Sequence, residues 1–194
     1  PGGKPNHDDS NRPERANPAK KRVLIFSPHP DDDVISMGGT FARLIDQGHE
    51  VHVAYQTSGN IAVTDEEGLK FIEVAENSFL KNQSNTNQLE GLKKSFNSDS
   101  SETSKDVLSV KAAVRRSECL AAARFLKLPA EQLHFLNLPF YETGKIIKNE
   151  PSAVDFKITQ DLIDEIKPHQ IFAAGDLADP HGTHRACLNI IFKV

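Results

Sequence analysis

The first uninterrupted apolar run, "RVLIFS" (22–27), is too short for a buried helix and suits a strand covered on both faces. Beyond it, Met37, Phe41, Leu44 and Ile45 stand at i, i+4, i+7 and i+8. That spacing is one face of an amphipathic helix, and Gly48 in "QGHE" supplies its stop. "VHVAYQT" (51–57) predicts the next strand, and the three pieces together have the length of a right-handed βαβ crossover. Farther along, "VKAAVRRSECLAAARFLKLP" predicts a helix with Val114, Ala121, Ala122 and Phe125 on one face. "QLHFLNL" predicts a third strand, "DFKITQDLIDEIKP" another helix and "HQIFAAG" a fourth strand. The alternation predicts an α/β fold, a three-layer Rossmann-like domain with a mostly parallel sheet.

The periodicity lapses between residues 64 and 109. A helical piece near Glu66–Phe79 leads into "KNQSNTNQLEGLKKSFNSDSSETSK", which is polar and lacks a period. It reads as a variable insertion, either a mobile lid or a disordered loop. Residues 1–21, rich in Pro, Asn and charge, read as a linker or disordered lead-in, which leaves 22–194 as the domain. The chain opens on Pro1 and stops at "NIIFKV" within an apolar run, so a longer parent protein is expected, with the domain truncated at its C-terminus.

Composition narrows the classes. A chain of 194 residues with 38% hydrophobic content suits one domain with one core. A net charge of −4, with basic residues interspersed among acids, gives no footprint for nucleic acid. No stretch approaches the roughly 18 apolar residues of a membrane span, and the N-terminus has no apolar signal-peptide core. Cys119 and Cys187 both fall in predicted helices, which favours buried thiols in a reducing compartment over a disulfide or metal role. Cytoplasm is the expected location.

The chemistry concentrates in two segments that each follow a predicted strand. "SPHPDDDVISMGG" (27–39) puts a histidine and three adjacent carboxylates where the first strand ends, and "GDLADPHGTH" (175–184) follows the fourth. In parallel sheets, ligands sit beyond the carboxyl ends of the strands, so both segments should reach one rim. His29 and Asp32 are three apart, as are His181 and His184, the latter pair expected on one face where the last helix opens. Alone, the HPDD segment reads equally as a helix-capping turn, and an HxxH as surface histidines. Together they offer imidazole, carboxylate and imidazole with an open position, which is the pattern of a catalytic metal site. Zn²⁺ is the first expectation, and the same donors suit Fe²⁺. Such a metal lowers the pKa of its water to roughly 7. Asp31 is placed to take that water's proton, and a protonated His181 to stabilise an oxyanion. The pieces suit metal-assisted hydrolysis of an amide or ester. His49, His52, His134 and His169 have no such partners in the sequence and read as surface or core residues; His7 reads as solvated. A phosphate-binding reading of Gly38 and Gly39 fails, because the neighbouring acids repel phosphate and no GxGxxG or GxxxxGK[ST] is present.

The segments "SPHPDDDVISMGGT", "VRRSECLAAARFLKL" and "DPHGTH" resemble the three motifs of the LmbE-like, or PIG-L, family of metal-dependent de-N-acetylases, from about residue 21 to the end. The resemblance implies His29, Asp32 and His184 as metal ligands, Asp31 as general base and His181 as the residue that stabilises the tetrahedral intermediate. It implies that Arg115 contacts the sugar's hydroxyls or a phosphate; a salt bridge to Glu118 on the same helix is the alternative. It also implies a zinc hydrolase that removes acetyl from an N-acetylglucosamine moiety. Asp33 replaces the usual Glu, "TSGN" replaces a Gly-Glu pair, and the second motif lacks the H-P-D-H order while keeping His-x-x-His. The first block is also similar to the C-terminal domain fused to glucosamine-6-phosphate deaminase-like proteins in some bacteria, which would make the lead-in an interdomain linker. A non-catalytic metal- or carbohydrate-binding module attached to a sugar-phosphate enzyme is the competing reading.

Overall fold

The computed structural model describes residues 18–80, 86–96, 103–145, 147–176 and 178–194. Its sheet has four strands, β1 (Arg22–Ser27), β2 (Glu50–Tyr55), β3 (Leu133–Phe135) and β4 (Gln170–Ala173), in the order β3-β2-β1-β4. All three pairings are parallel, with Ser27 opposite Tyr55, and Phe26 opposite Ala173. The helices are α1 (Asp32–Asp46), α2 (Asp65–Ala75), α3 (Thr86–Phe96), α4 (Lys105–Phe125), α5 (Ala153–Ile166) and α6 (Thr183–Lys193).

Strand alternation builds the layers. Val23 and Ile25 of β1 point to one face with Val51 and Val53 of β2, where they meet Phe41 and Leu44 of α1 and Cys119 and Ala123 of α4. Leu24 and Phe26 point to the other face and meet Leu162 and Ile166 of α5. With both faces covered, β1 buries all of its apolar side chains, which is why it reads as a run rather than an alternation. The predicted face of α1 is the one observed: Phe41 and Leu44 are buried, with Met37 and Ile45 packed at its margin. Gly48 ends that helix at φ 71°, its N–H donating to the Ile45 carbonyl while His49 N–H reaches Leu44, as in a Schellman-type stop.

The phase predicted for α4 is corrected by the structure. Val114 is buried, but Phe125 is 87% exposed, and the inward face is carried by Val107, Cys119 and Ala123. Alanines on several sides leave the period weak, and Lys111 occupies an inward position because its ammonium reaches Asp65 of α2 at 2.8 Å. The described part of the 64–109 segment is also more regular than its composition suggests. After α2 and a π-helical turn (Glu76–Leu80), α3 places Leu89, Leu92 and Phe96 against Ile72 of α2 and Val107 of α4. These helices make a small satellite core, whereas residues 81–85 and 97–102 of the expected insertion lie outside the described residues. Most of the expected lead-in, residues 1–17 with His7, lies outside them too. Both cysteines are buried and free, as expected, and among the described residues no helix is long and apolar enough to cross a membrane.

Candidate metal centre and active-site cleft

The chain lays down β1, β2 and β3 outward in one direction, then returns to place β4 on the other side of β1. The loops after β1 and β4 therefore part at the carboxyl rim, the position where open α/β sheets leave a crevice. His29 comes from the first loop and His184 from the first turn of α6, and Asp32 opens α1 between them.

The three side chains converge. His29 Nδ1 and His184 Nε2 each lie 3.3 Å from Asp32 Oδ2 and 3.2 Å from one another. Among the described residues they form the only group of three or more His, Cys, Asp or Glu arranged to hold a metal ion. The spacing fits a metal: tetrahedral bonds of about 2.0–2.1 Å set neighbouring donors about 3.3 Å apart. Burial pushes the Asp32 carboxyl up, but hydrogen bonds from the His29 side chain and backbone and the charges of both imidazoles outweigh it, so its pKa falls below the ordinary carboxylate range. A proton-free carboxylate is what a cation requires. The outer nitrogen of His184, Nδ1, is buried without a hydrogen-bond partner among the described residues, with Asp176 Oδ2 3.9 Å away.

Asp179 sets the approach of the second histidine segment. Its Oδ1 accepts from the His181 N–H at 3.1 Å and its Oδ2 from the His184 N–H at 3.0 Å. Burial works against this carboxylate, but those two donors and the nearby imidazoles hold its pKa low. The expected shared helical face of His181 and His184 is not what forms. Gly182, at φ 70°, caps α6, so His181 precedes the helix and is exposed in the cleft rather than standing one turn from His184.

The three consecutive acids separate into three environments. Asp31 holds a positive φ of 119°, a conformation costly for a residue with a Cβ and common at functional sites. Its Oδ2 pairs with Arg115 Nη2 at 2.7 Å, and the same guanidinium donates to the Pro30 carbonyl and, through Nη1, to Glu118 Oε2 at 2.7 Å. Arg115 is thus paired to Glu118, the alternative expected for it, and it also clamps Asp31 and lines the cleft. Gly59, at φ 65°, makes room for this arrangement, since a Cβ there would stand 2.9 Å from Pro30 Cδ. Asp33 stands at the helix start, where its charge favours the dipole, but it is turned inward. It lies in the first helical turn but is 2% exposed, accepting from Tyr55 Oη at 3.0 Å and Ser27 Oγ at 3.3 Å. Burial pushes its pKa up despite those donors. Asp33→Ala would strand the buried Tyr55 hydroxyl, and a loss of about 1–3 kcal/mol in urea unfolding is expected, with Asn in its place costing less. An unchanged midpoint in the alanine variant would remove that structural role.

A cleft of about 430 Å³ opens beside these groups, lined by His29 and Asp31 after β1, Gly59 after β2, Tyr141 and Lys148 after β3, and His181 after β4. The Tyr141 ring meets the His29 imidazole edge-on at 5.7 Å, and burial pushes its hydroxyl pKa up to about 12. Glu142 braces the wall: it accepts from the Ser58 N–H and hydroxyl, both at 2.9 Å, and from Asn60 Nδ2 at 3.1 Å. The "TSGN" loop thus carries a network of its own. Tyr141, Glu142, Lys148, Asp176 and Asp179 were not assigned from the sequence. Only Asp179 had a usable signal there, an Asp just ahead of a helix start. His52 and His134, expected to be unpartnered, meet at 3.0 Å from adjacent strands, a pairing that sequence separation hides.

The family model for GlcNAc-PI de-N-acetylase, PIG-L, matches residues 24–194. A glucosamine-6-phosphate deaminase-like protein of Bacteroides thetaiotaomicron is 54% identical across 99% of this chain. The chain spans 30% of that relative's length, which does not by itself place a deaminase-like domain beside this one. A diacetylchitobiose deacetylase of Thermococcus kodakarensis is 45% identical over 24% of this chain and 18% of its own. Among solved structures, the N,N'-diacetylchitobiose deacetylase from Pyrococcus horikoshii, complexed with its inhibitor MPG, shares the fold with a TM-score of 0.57. That likeness covers 90% of this chain and 49% of the other at 24% identity.

Proposed function

The chain belongs to this PIG-L family, and on that premise we propose that it is a metal-dependent N-deacetylase that removes acetyl from an N-acetylglucosamine-type amino sugar or its conjugate. The observation that carries the reading is the convergence of His29, Asp32 and His184 at 3.2–3.3 Å, beside the Asp31 carboxylate at the wall of the cleft. These three residues would hold the ion, and two imidazoles with one carboxylate suit Zn²⁺ first and Fe²⁺ second. When bound, such an ion supplies a water whose pKa is near 7 and polarises the amide carbonyl.

The remaining steps belong to side chains. Asp31 takes the proton from the attacking water as the carbon–oxygen bond forms, then returns it to the nitrogen as the carbon–nitrogen bond breaks. The amine leaves neutral, acetate is the other product, and the second proton of the water passes to solvent. The Asp31–Arg115 pair fixes that carboxylate in direction, and Arg115 is assigned a further contact to the sugar from its place in the cleft wall. His181, exposed in the cleft and anchored by Asp179 through its backbone, is assigned the proton donor to the acetyl oxygen. The free, buried thiols suit a reducing compartment, and cytoplasm is the proposed location.

The test joins metal analysis to acetate release from N-acetylglucosamine, its 6-phosphate and a lipid- or thiol-linked glycoside. About one ion per chain and release from at least one compound are expected. Sugar binding without release would instead assign a carbohydrate-binding module, and a chain that takes up no metal would overturn the reading.

A further inference from the structure

The cleft continues past His181. A second cleft of about 390 Å³ shares Lys148, His181 and Thr183 with the first, and a smaller one of about 180 Å³ runs on beyond Arg185 to Lys193. The charged groups along this extension are Lys148, Arg185 and Lys193 against a single carboxylate, Glu150, a surplus of two positive charges (three minus one) in a chain of net charge −4.

Of these three cations, Lys148 and Arg185 line the cleft that His181 shares, and no ion pair among the described residues neutralises either. Lys148 Nζ donates to the Lys145 carbonyl at 2.6 Å and stands 4.1 Å from the Tyr141 ring centroid, both uncharged partners. Glu142, whose charge acts on it, makes no ion pair with it and accepts from Ser58 and Asn60 instead. The Arg185 guanidinium has no hydrogen bond or ion pair among the described residues. Burial pushes the Lys148 pKa down, so an anion beside it would relieve a strain the protein alone leaves in place. A phosphoryl group carries about −1.5 to −2 charges with three acceptor oxygens, matching the surplus, and Arg and Lys bind it through charge-assisted hydrogen bonds.

We propose that this extension is a phosphoryl subsite: Lys148 and Arg185 select N-acetylated amino sugars that carry a phosphate over the neutral sugar. The proposal rests on the deacetylase reading above, and names the substrate class of that same cleft.

Two measurements on the metal-loaded chain separate the subsite from the reaction. In the first, kcat/KM for acetate release is compared between N-acetylglucosamine and its 6- and 1-phosphates. A preference of about tenfold or more for a phosphorylated sugar is expected, falling toward unity in Lys148→Met and in Arg185→Met. In the second, calorimetry compares glucosamine 6- and 1-phosphate with glucosamine and inorganic phosphate, which needs no turnover. A phosphorylated sugar should bind tighter than either fragment, and lose that margin in both variants. Equal binding of phosphorylated and neutral sugars, inorganic phosphate as tight as the sugar phosphate, or variants that keep the full preference would each overturn the subsite. Tight sugar-phosphate binding with no acetate released from any compound would sustain the subsite and strike the deacetylase reading alone.

Discussion

Asp31→Asn is expected to retain about one metal ion per chain and to lower acetate release by about 10²–10⁴-fold. The amide nearly matches the carboxylate in shape, and its oxygen can still accept from Arg115 where Asp31 Oδ2 does now, at 2.7 Å. What it cannot do near neutral pH is take a proton from water and return it to the departing amine. The His29, Asp32 and His184 donors lie outside the substitution, so metal content and turnover should separate. Retained turnover would remove Asp31 from the role of base. A variant that loses the metal instead would make Asp31 a ligand, and would shift the base to another group in the cleft.

His184→Ala carries the second large effect. It removes one of three converging donors, leaving two that stand three positions apart on one loop and helix start. Metal content should fall well below one per chain after dialysis against buffer, and acetate release should fall with it. The stability readout is independent of activity. A ligand that binds only the folded state stabilises it by about 2.7 kcal/mol at a hundred times its Kd. A chelator should therefore lower the unfolding midpoint of the wild-type protein and leave that of His184→Ala in place. A midpoint that responds equally to chelator in both proteins would put the ion elsewhere.

Those two residues show how far the sequence was readable. The His29–Asp32 spacing and the position of "HGTH" after a fourth strand were enough to expect one rim and one cluster, because strand periodicity and parallel connection are local and strongly patterned. The phase of α4 was not readable, since its alanines on several sides leave little moment and the inward Lys111 looks like a surface residue until Asp65 is opposite it. The helix α3 hid in an Asn- and Ser-rich stretch, where three apolar residues gain their meaning from Ile72 and Val107 on other helices. Asp33 was likewise opaque. Its neighbours make it look solvated, and only the fold puts Tyr55 over it.

The sequence by itself determined the strand–helix alternation, the rim on which chemistry would gather and the donor types available to a metal. Each of these follows from hydrophobic period, chain connectivity or the identity of a side chain, and none needs a distant partner. Tertiary structure alone decided the rest: the 3.2–3.3 Å convergence of the donors, the clamp of Arg115 on Asp31, the release of His181 from the helix and the positive groove through Lys148 and Arg185. Those are relations between residues up to 155 positions apart, or set by one backbone angle at Gly182, and their energies appear only once packing has removed the water between them.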